Sequence, residues 1–215
     1  DSYRHQPPRA ASVNRILLLF AVFTLSACAM QSLQPPQTAA PSDWQTHQLR
    51  ISQLNDWRLA GKLGFRGPDN GGSASVNWQQ RQNNFQLQLS GPFGAGSATL
   101  TGNQQIAEML YQDKLYRQTP QQLATQLTGV PLPVAALSWW ARGLPSPDQN
   151  PASSIATSPE GYASSFEQAG WQLSFSRYSE TDAGSLPGKI AGIHQAGDNR
   201  RYSFKLVISD WSFAK

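Results

Sequence analysis

A chain of 215 residues has room for one domain with a substantial core, or for one domain and tails. Charged residues make up only 14%, and the formal net charge of +4 falls to about +2 from residue 28 onward, which does not support nucleic-acid binding. Gln, Ser, Asn and Thr supply most of the polar character, a composition that suits a secreted or envelope protein.

The chain opens on Asp1 and not on Met, which leaves open whether the precursor begins upstream. Residues 1–27 read as an export signal. "RHQPPRAASVNR" is basic without an acid, and "ILLLFAVFTL" (Ile16 to Leu25) is an uninterrupted apolar run. The run is too short to cross a bilayer, which takes roughly 20 apolar residues. "LSAC" follows, ending on Cys28, the single cysteine of the chain, which therefore has no disulfide partner within it. Leu, two small residues and Cys resemble the bacterial lipobox, in which the thiol receives a diacylglycerol before cleavage and the new amino terminus is then acylated. By analogy with lipoprotein sorting, Ala29 in place of Asp implies passage to the outer membrane. Three acyl chains, at about 0.8 kcal/mol per buried methylene, anchor a protein firmly. Residues 28–42, including "MQSLQPPQTAAPS", then read as an extended Pro- and Gln-rich tether.

The domain is expected over residues 43–215. "SDWQTHQLRISQLNDW" predicts a first helix capped by Ser42, with Trp44, Gln48, Ile51 and Asn55 on one stripe. Period-two alternation then predicts strands in "WRLAGKLGF", "SASVNWQQ", "NFQLQLSG" and "GSATLTGN", with turns at "GPDNGG" and "RQNN". "IAEMLY" and "KLYRQ" give two more. "TPQQLATQLTG" predicts a helix with Thr119 as N-cap, Pro120 at its first position and Gly129 past its end. "LPVAALSWWARGLP" repeats that design between Pro133 and Gly143. Pro145 to Pro159 reads as loose chain. Two hairpins follow, around "QAG" and "AGDN". About ten antiparallel strands with one wet face predict a mainly β (α+β) fold, curled into a half-open barrel and covered by helices.

Catalytic signals are weak. His47 and His194 have no metal-ligand spacing and read as surface or satisfied polar positions. No G-x-S-x-G or Ser-x-x-Lys occurs, and there is no Walker motif. Neither a metal nor a cofactor is expected. Glu108 among "IAEML" is the one acid that alternation leaves open to an inward position, but a glycosidase needs a partnered carboxylate. Seven tryptophans, all after residue 42, point instead to a filled core or to a cavity lined by large apolar groups. A further oddity is "LSGPFGAGSATL": Phe93 stands at the centre of a glycine-rich turn, where loop tips are usually polar.

The lipobox, "GKLGF", "SVNWQQ", "FQLQLSGPFGAGSATLTG", "LTGVPLPVAALSWWARGLP" and the closing "FKLVISDW" together resemble the LolB family, from about Trp44 to Trp211. These are outer-membrane lipoprotein receptors of Gram-negative bacteria. The resemblance implies a half-open barrel around an apolar cavity, and no enzymatic reaction. It implies a chain anchored in the outer membrane, facing the periplasm, that accepts acylated lipoproteins from the soluble carrier LolA. The clients would be placed in the inner leaflet, in contact with outer-membrane phospholipid. A monomer that binds no nucleic acid is expected. Acyl chains would lie against Trp78, Leu87, Leu89, Leu100, Trp140, Trp171, Phe175 and Phe204. Pro92, Phe93 and Gly94 would form the loop that touches the membrane; family members are expected to carry Leu there, so Phe93 departs in shape and not in chemistry. Two alternatives stay open: an anchored scaffold with a packed barrel, and an envelope glycan-binding or hydrolase module using Glu108.

Overall fold

A computed structural model describes residues 43–91, 96–197 and 199–213. Cys28, the proposed cap Ser42, and Pro92, Phe93 and Gly94 lie outside the described residues. In chain order the elements are α1 (Asp43–Ser52), β1 (Asp56–Arg66), β2 (Gly71–Arg81), β3 (Asn84–Gly91), β4 (Gly96–Gly102), β5 (Ala107–Tyr111) and β6 (Lys114–Gln118). Then come α2 (Pro120–Thr128), α3 (Val134–Trp140), β7 (Ser153–Thr157), β8 (Ala163–Gln168), β9 (Trp171–Ser176), β10 (Ser179–Thr181), β11 (Gly184–Leu186), β12 (Lys189–Gln195) and β13 (Arg201–Phe213).

Eleven strands form one antiparallel sheet in the order β6-β5-β4-β3-β2-β1-β13-β12-β9-β8-β7, and β10 pairs with β11 apart from it. The sheet does not close, since β6 and β7 are its free edges. Alternation sets its two faces. In β3, Phe85, Leu87 and Leu89 are buried while Gln86, Gln88 and Ser90 are exposed; in β13, Tyr202, Phe204, Leu206 and Ile208 point inward. Tight turns follow from backbone chemistry: Gln112 and Asp113 (φ 50° and 59°) join β5 to β6, and Ala169 and Gly170 (φ 52° and 77°) join β8 to β9. Gly61 marks a register shift between β1 and β13, where a Cβ would lie 2.3 Å from the Val207 carbonyl oxygen.

Three strands were not anticipated. The edge strand β7 lies in the stretch read as loose, and all five of its residues are exposed, so it carries no apolar alternation. Strands β10 and β11 have three residues each. The stripe of the first helix also differs from the one expected. The helix ends at Ser52, Asn55 is exposed beyond it, and its buried stripe is His47 and Ile51. Trp57 belongs to β1, with its ring 5.3 Å from that of Trp78.

Helix α2 has the punctuation its sequence predicts. Thr119 accepts from the Gln122 backbone N–H, the Gln122 side chain answers to the Thr119 backbone, and Gly129 closes the helix at φ 70°. Its buried Leu123 and Ala124, with Val134, Ala136, Leu137 and Trp140 of α3, join the inward faces of the strands in one apolar core.

Candidate functional site

Between the helices and the concave side of the sheet lies a hollow. Leu63, Val76, Trp78, Leu87, Leu89, Leu100, Phe204 and Leu206 line it from the strands. Ala124, Leu127, Thr128, Leu132, Val134 and Leu137 close it from α2, α3 and the segment between them. Its polar groups are engaged elsewhere: the Thr128 hydroxyl donates to the Ala124 carbonyl at 2.7 Å, and Trp78 Nε1 donates to Gln80 Oε1 at 3.1 Å. A chamber with such walls holds no water that it could hydrogen-bond, and it favours hydrocarbon. At rest its volume is about 40 Å³, far below the roughly 300–1,000 Å³ of ordinary ligand sites. Accommodating a fatty chain therefore requires the helices to move away from the sheet.

Of the eight residues proposed for the acyl cavity, Trp78, Leu87, Leu89, Leu100 and Phe204 line the hollow. Trp140, Trp171 and Phe175 sit in the packed core around it. Trp140 stacks parallel to Phe204 at 6.5 Å, Trp171 meets Phe204 edge-on at 5.3 Å, and Phe175 stacks on Phe166 at 4.9 Å. Gly192 makes room for that arrangement, since a Cβ there would lie 2.3 Å from the Phe204 ring. The membrane-loop residues are outside the described chain, but the strands that flank them pair as far as Gly91 opposite Gly96.

The two ends of the helical cover are held differently. All hydrogen bonds of α2 and the segment after it stay within residues 119–130 or reach only to Leu132, among the described residues. It rests on the sheet through apolar contact. The end of α3 is bolted. Gln168, buried on β8, accepts from Trp140 Nε1 and from the Ser146 backbone N–H, both at 2.8 Å. It also donates to the Ser146 and Asn150 carbonyls at 2.8 and 3.0 Å. Arg142, also buried, reaches the carbonyls of Ile51 and Leu54 at 3.2 and 2.7 Å, at the C-terminal end of α1. Its guanidinium lies 4.3 Å from the centre of the Trp139 ring. No carboxylate pairs with it among the described residues. Burial pushes its pKa down to about 10, so it keeps its charge at neutral pH. Carbonyl oxygens at a helix C-terminus and the face of an indole stand in for a counter-ion.

Sequence reasoning singled out neither Arg142 nor Gln168. A basic residue within the apolar run "PVAALSWWARGLP" was the available signal for the first. His47 also departs from expectation: it is buried on α1 against the Tyr162 ring at 4.8 Å, and its Nε2 has no hydrogen-bond partner. Desolvation, with Arg50 adding to it and Glu180 opposing, lowers its pKa. His194 Nδ1 donates to the Gly170 carbonyl oxygen, 2.7 Å away, and the ring stacks on Trp171. Glu108 turns outward, exposed, with Arg117 at 3.9 Å, which removes the inward carboxylate that a hydrolase reading required. Among the described residues, no group of three His, Cys, Asp or Glu side chains could hold a metal, and no helix is long and apolar enough to cross a membrane.

Known proteins with this architecture agree among themselves. The chain is 36% identical over 202 residues to outer-membrane lipoprotein LolB of Ectopseudomonas mendocina (strain ymp), covering 92% of this chain and 96% of that relative. It is 36% identical over 206 residues to the Cellvibrio japonicus (strain Ueda107) protein of the same name, covering 92% and 97%. A LolA superfamily protein from Nitrosomonas europaea shares the fold at 8% identity, with a TM-score of 0.55 over 81% of this chain and 95% of that one. The sequence profile of the family described as Outer membrane lipoprotein LolB matches residues 55–211. The family is one of outer-membrane lipoprotein-sorting receptors and not of enzymes, and this chain belongs to the LolB family.

Proposed function

We propose that this chain receives acylated lipoproteins from the periplasmic carrier LolA and delivers them into the inner leaflet of the outer membrane. The mature chain starts at Cys28, which carries the lipid anchor, and residues 28–42 are the tether that lets the domain reach both carrier and bilayer. It works as a monomer without nucleotide. The observation that carries the reading is the dry apolar hollow under a helical cover that, among the described residues, makes no hydrogen bond to the sheet beneath its α2 half. Each client acyl chain would expose over a dozen methylenes to water, at roughly 0.8 kcal/mol apiece. Lifting α2 exposes Leu63, Val76, Leu87 and Leu100 to those chains. Transfer then runs downhill if the hollow binds them better than the carrier does, and the bilayer better still. Phe93, at the tip beyond Gly91 and Gly96, would touch the bilayer and open the way out.

Two measurements test this. A fluorescent fatty-acid probe should bind the wild-type chain and be displaced by a lipidated client. No uptake would overturn the reading and favour a packed scaffold, the reading that the small resting volume also fits. Phe93→Glu should fold and accept clients normally but fail to deliver them to liposomes; normal delivery would remove Phe93 from the mechanism.

A further inference from the structure

We propose that the convex face of strands β12, β13 and β1, toward the end of the sheet where the pairing of β3 with β4 stops at Gly91 and Gly96, is a docking surface for anionic phospholipid headgroups. The register of the strands assembles it. Tyr202, Phe204 and Leu206 are buried in the core, so Arg201 and Lys205 face the other way on β13. Lys189 lies opposite Val207, and Val207 lies opposite Lys62 on β1. Lys205 pairs in register with Gly64, and Ser203 with Arg66. Five cations on three neighbouring strands thus share a patch of roughly 10 Å by 20 Å, from the strand spacing and rise. All are exposed except Lys189, which is half-buried.

None of the five has an ion-pair partner among the described residues. Residues 61–66, 189–195 and 201–207 contain no acid. The described carboxylates toward this end are Asp69, in the β1–β2 connection, Asp113, in the β5–β6 turn, and Glu167, on β8 two strands from β12. The opposite end of the same face mixes signs, with Asp56, Arg58, Arg81 and Asp210. The near-neutral total hides this separation. The row that carries Lys189 and Lys62 continues across the sheet through Ser75 and Ser90 to Ser97, one residue short of the Gly91 and Gly96 pair. The cations therefore lie toward the end of the sheet at which the pairing of β3 with β4 stops, and they face whatever neighbours the convex side. For a lipid-anchored outer-membrane protein that neighbour is a phospholipid surface, and basic side chains gain about fivefold in affinity each against an anionic one.

The inference rests on the chain residing at the outer membrane and deepens the delivery reading by saying what holds the domain against the bilayer. The test uses the mature chain from residue 28 with Cys28→Ala, so that no acyl group dominates, and vesicles of phosphatidylcholine alone or with phosphatidylglycerol. Co-sedimentation should occur with the anionic vesicles and fade as salt rises. Lys62→Gln with Lys205→Gln should weaken it about 25-fold, whereas Arg58→Gln with Arg81→Gln should leave it within about twofold, a far smaller change than lost headgroup contacts would cause. Equal binding to both vesicle types, or an equal loss in the two double variants, would overturn the proposal. So would normal vesicle binding by the Lys62/Lys205 variant together with lost binding to the carrier, which would assign the face to an acidic protein. Salt-sensitive anionic binding in a chain whose lipidated form delivers no client would support this surface while the delivery reading fails.

Discussion

The helical cover has two halves built on opposite principles. Over the hollow, α2 and the segment to Val134 meet the sheet through Ala124, Leu127, Leu132 and Val134, side chains that gain nothing from one orientation over a similar one. At the far end, Trp140, Arg142 and Ser146 are tied by directional hydrogen bonds to β8 and to the end of α1. Apolar contact can be exchanged for contact with another hydrocarbon at little net cost. A buried hydrogen bond cannot, because each partner left bare costs about 1–3 kcal/mol. Under the proposed delivery of acyl chains, α2 is the half that would yield to them and the end of α3 the half about which it would turn. Polar bonding in this cover marks the fixed point, and its absence marks the moving part.

The largest effect is expected from Gln168→Leu. It strands the Trp140 indole N–H and the backbone groups of Ser146, so urea denaturation should show a loss of about 3 kcal/mol, with hydrogen exchange quickened across residues 139–146 and little changed in α2. If α2 loosens just as much, the two halves are one unit and the comparison fails. Arg142→Met should cost less, about 2 kcal/mol, because the lost bonds to Ile51 and Leu54 are offset by relief of a buried charge. Its signature is loosening of α1. Acyl-probe affinity should stay close to wild type, since neither Arg142 nor α1 lines the hollow. The smallest effect concerns His47 on that same helix. Its folded pKa lies below the ordinary 6.5, so the unfolded chain takes up the proton first. Stability should be level above about pH 6.5 and fall as pH drops below it, until the folded imidazole itself titrates. His47→Phe should flatten that slope in pH-dependent melting; an unchanged slope would place its origin elsewhere.

Much of the fold was legible because the strands alternate so regularly. Phe85, Leu87 and Leu89 against Gln86, Gln88 and Ser90 leave one choice of inward face, and Thr119, Pro120 and Gly129 delimit α2 unaided. Strand β7 was not legible, because an edge strand with both faces wet has no pattern to betray it. The strand-borne wall of the hollow followed from alternation at Trp78, Leu87, Leu89, Leu100 and Phe204. Its helical wall and the fixed end did not. Ala124 and Val134 look like ordinary packing residues, and the partners of Arg142 lie 88 and 91 positions away in sequence. His47 was misjudged for the same reason, since Tyr162 and Tyr178 come to it from the far half of the chain.

The free edges at β6 and β7 carry one more consequence. In a closed barrel, strand number and stagger fix the girth, and widening the bore means tearing a ladder. Here the seam between the two edges is never sewn. The sheet can uncurl like a loosened cuff with every inter-strand bond kept, so the bore of the hollow is a soft coordinate that strand count does not fix.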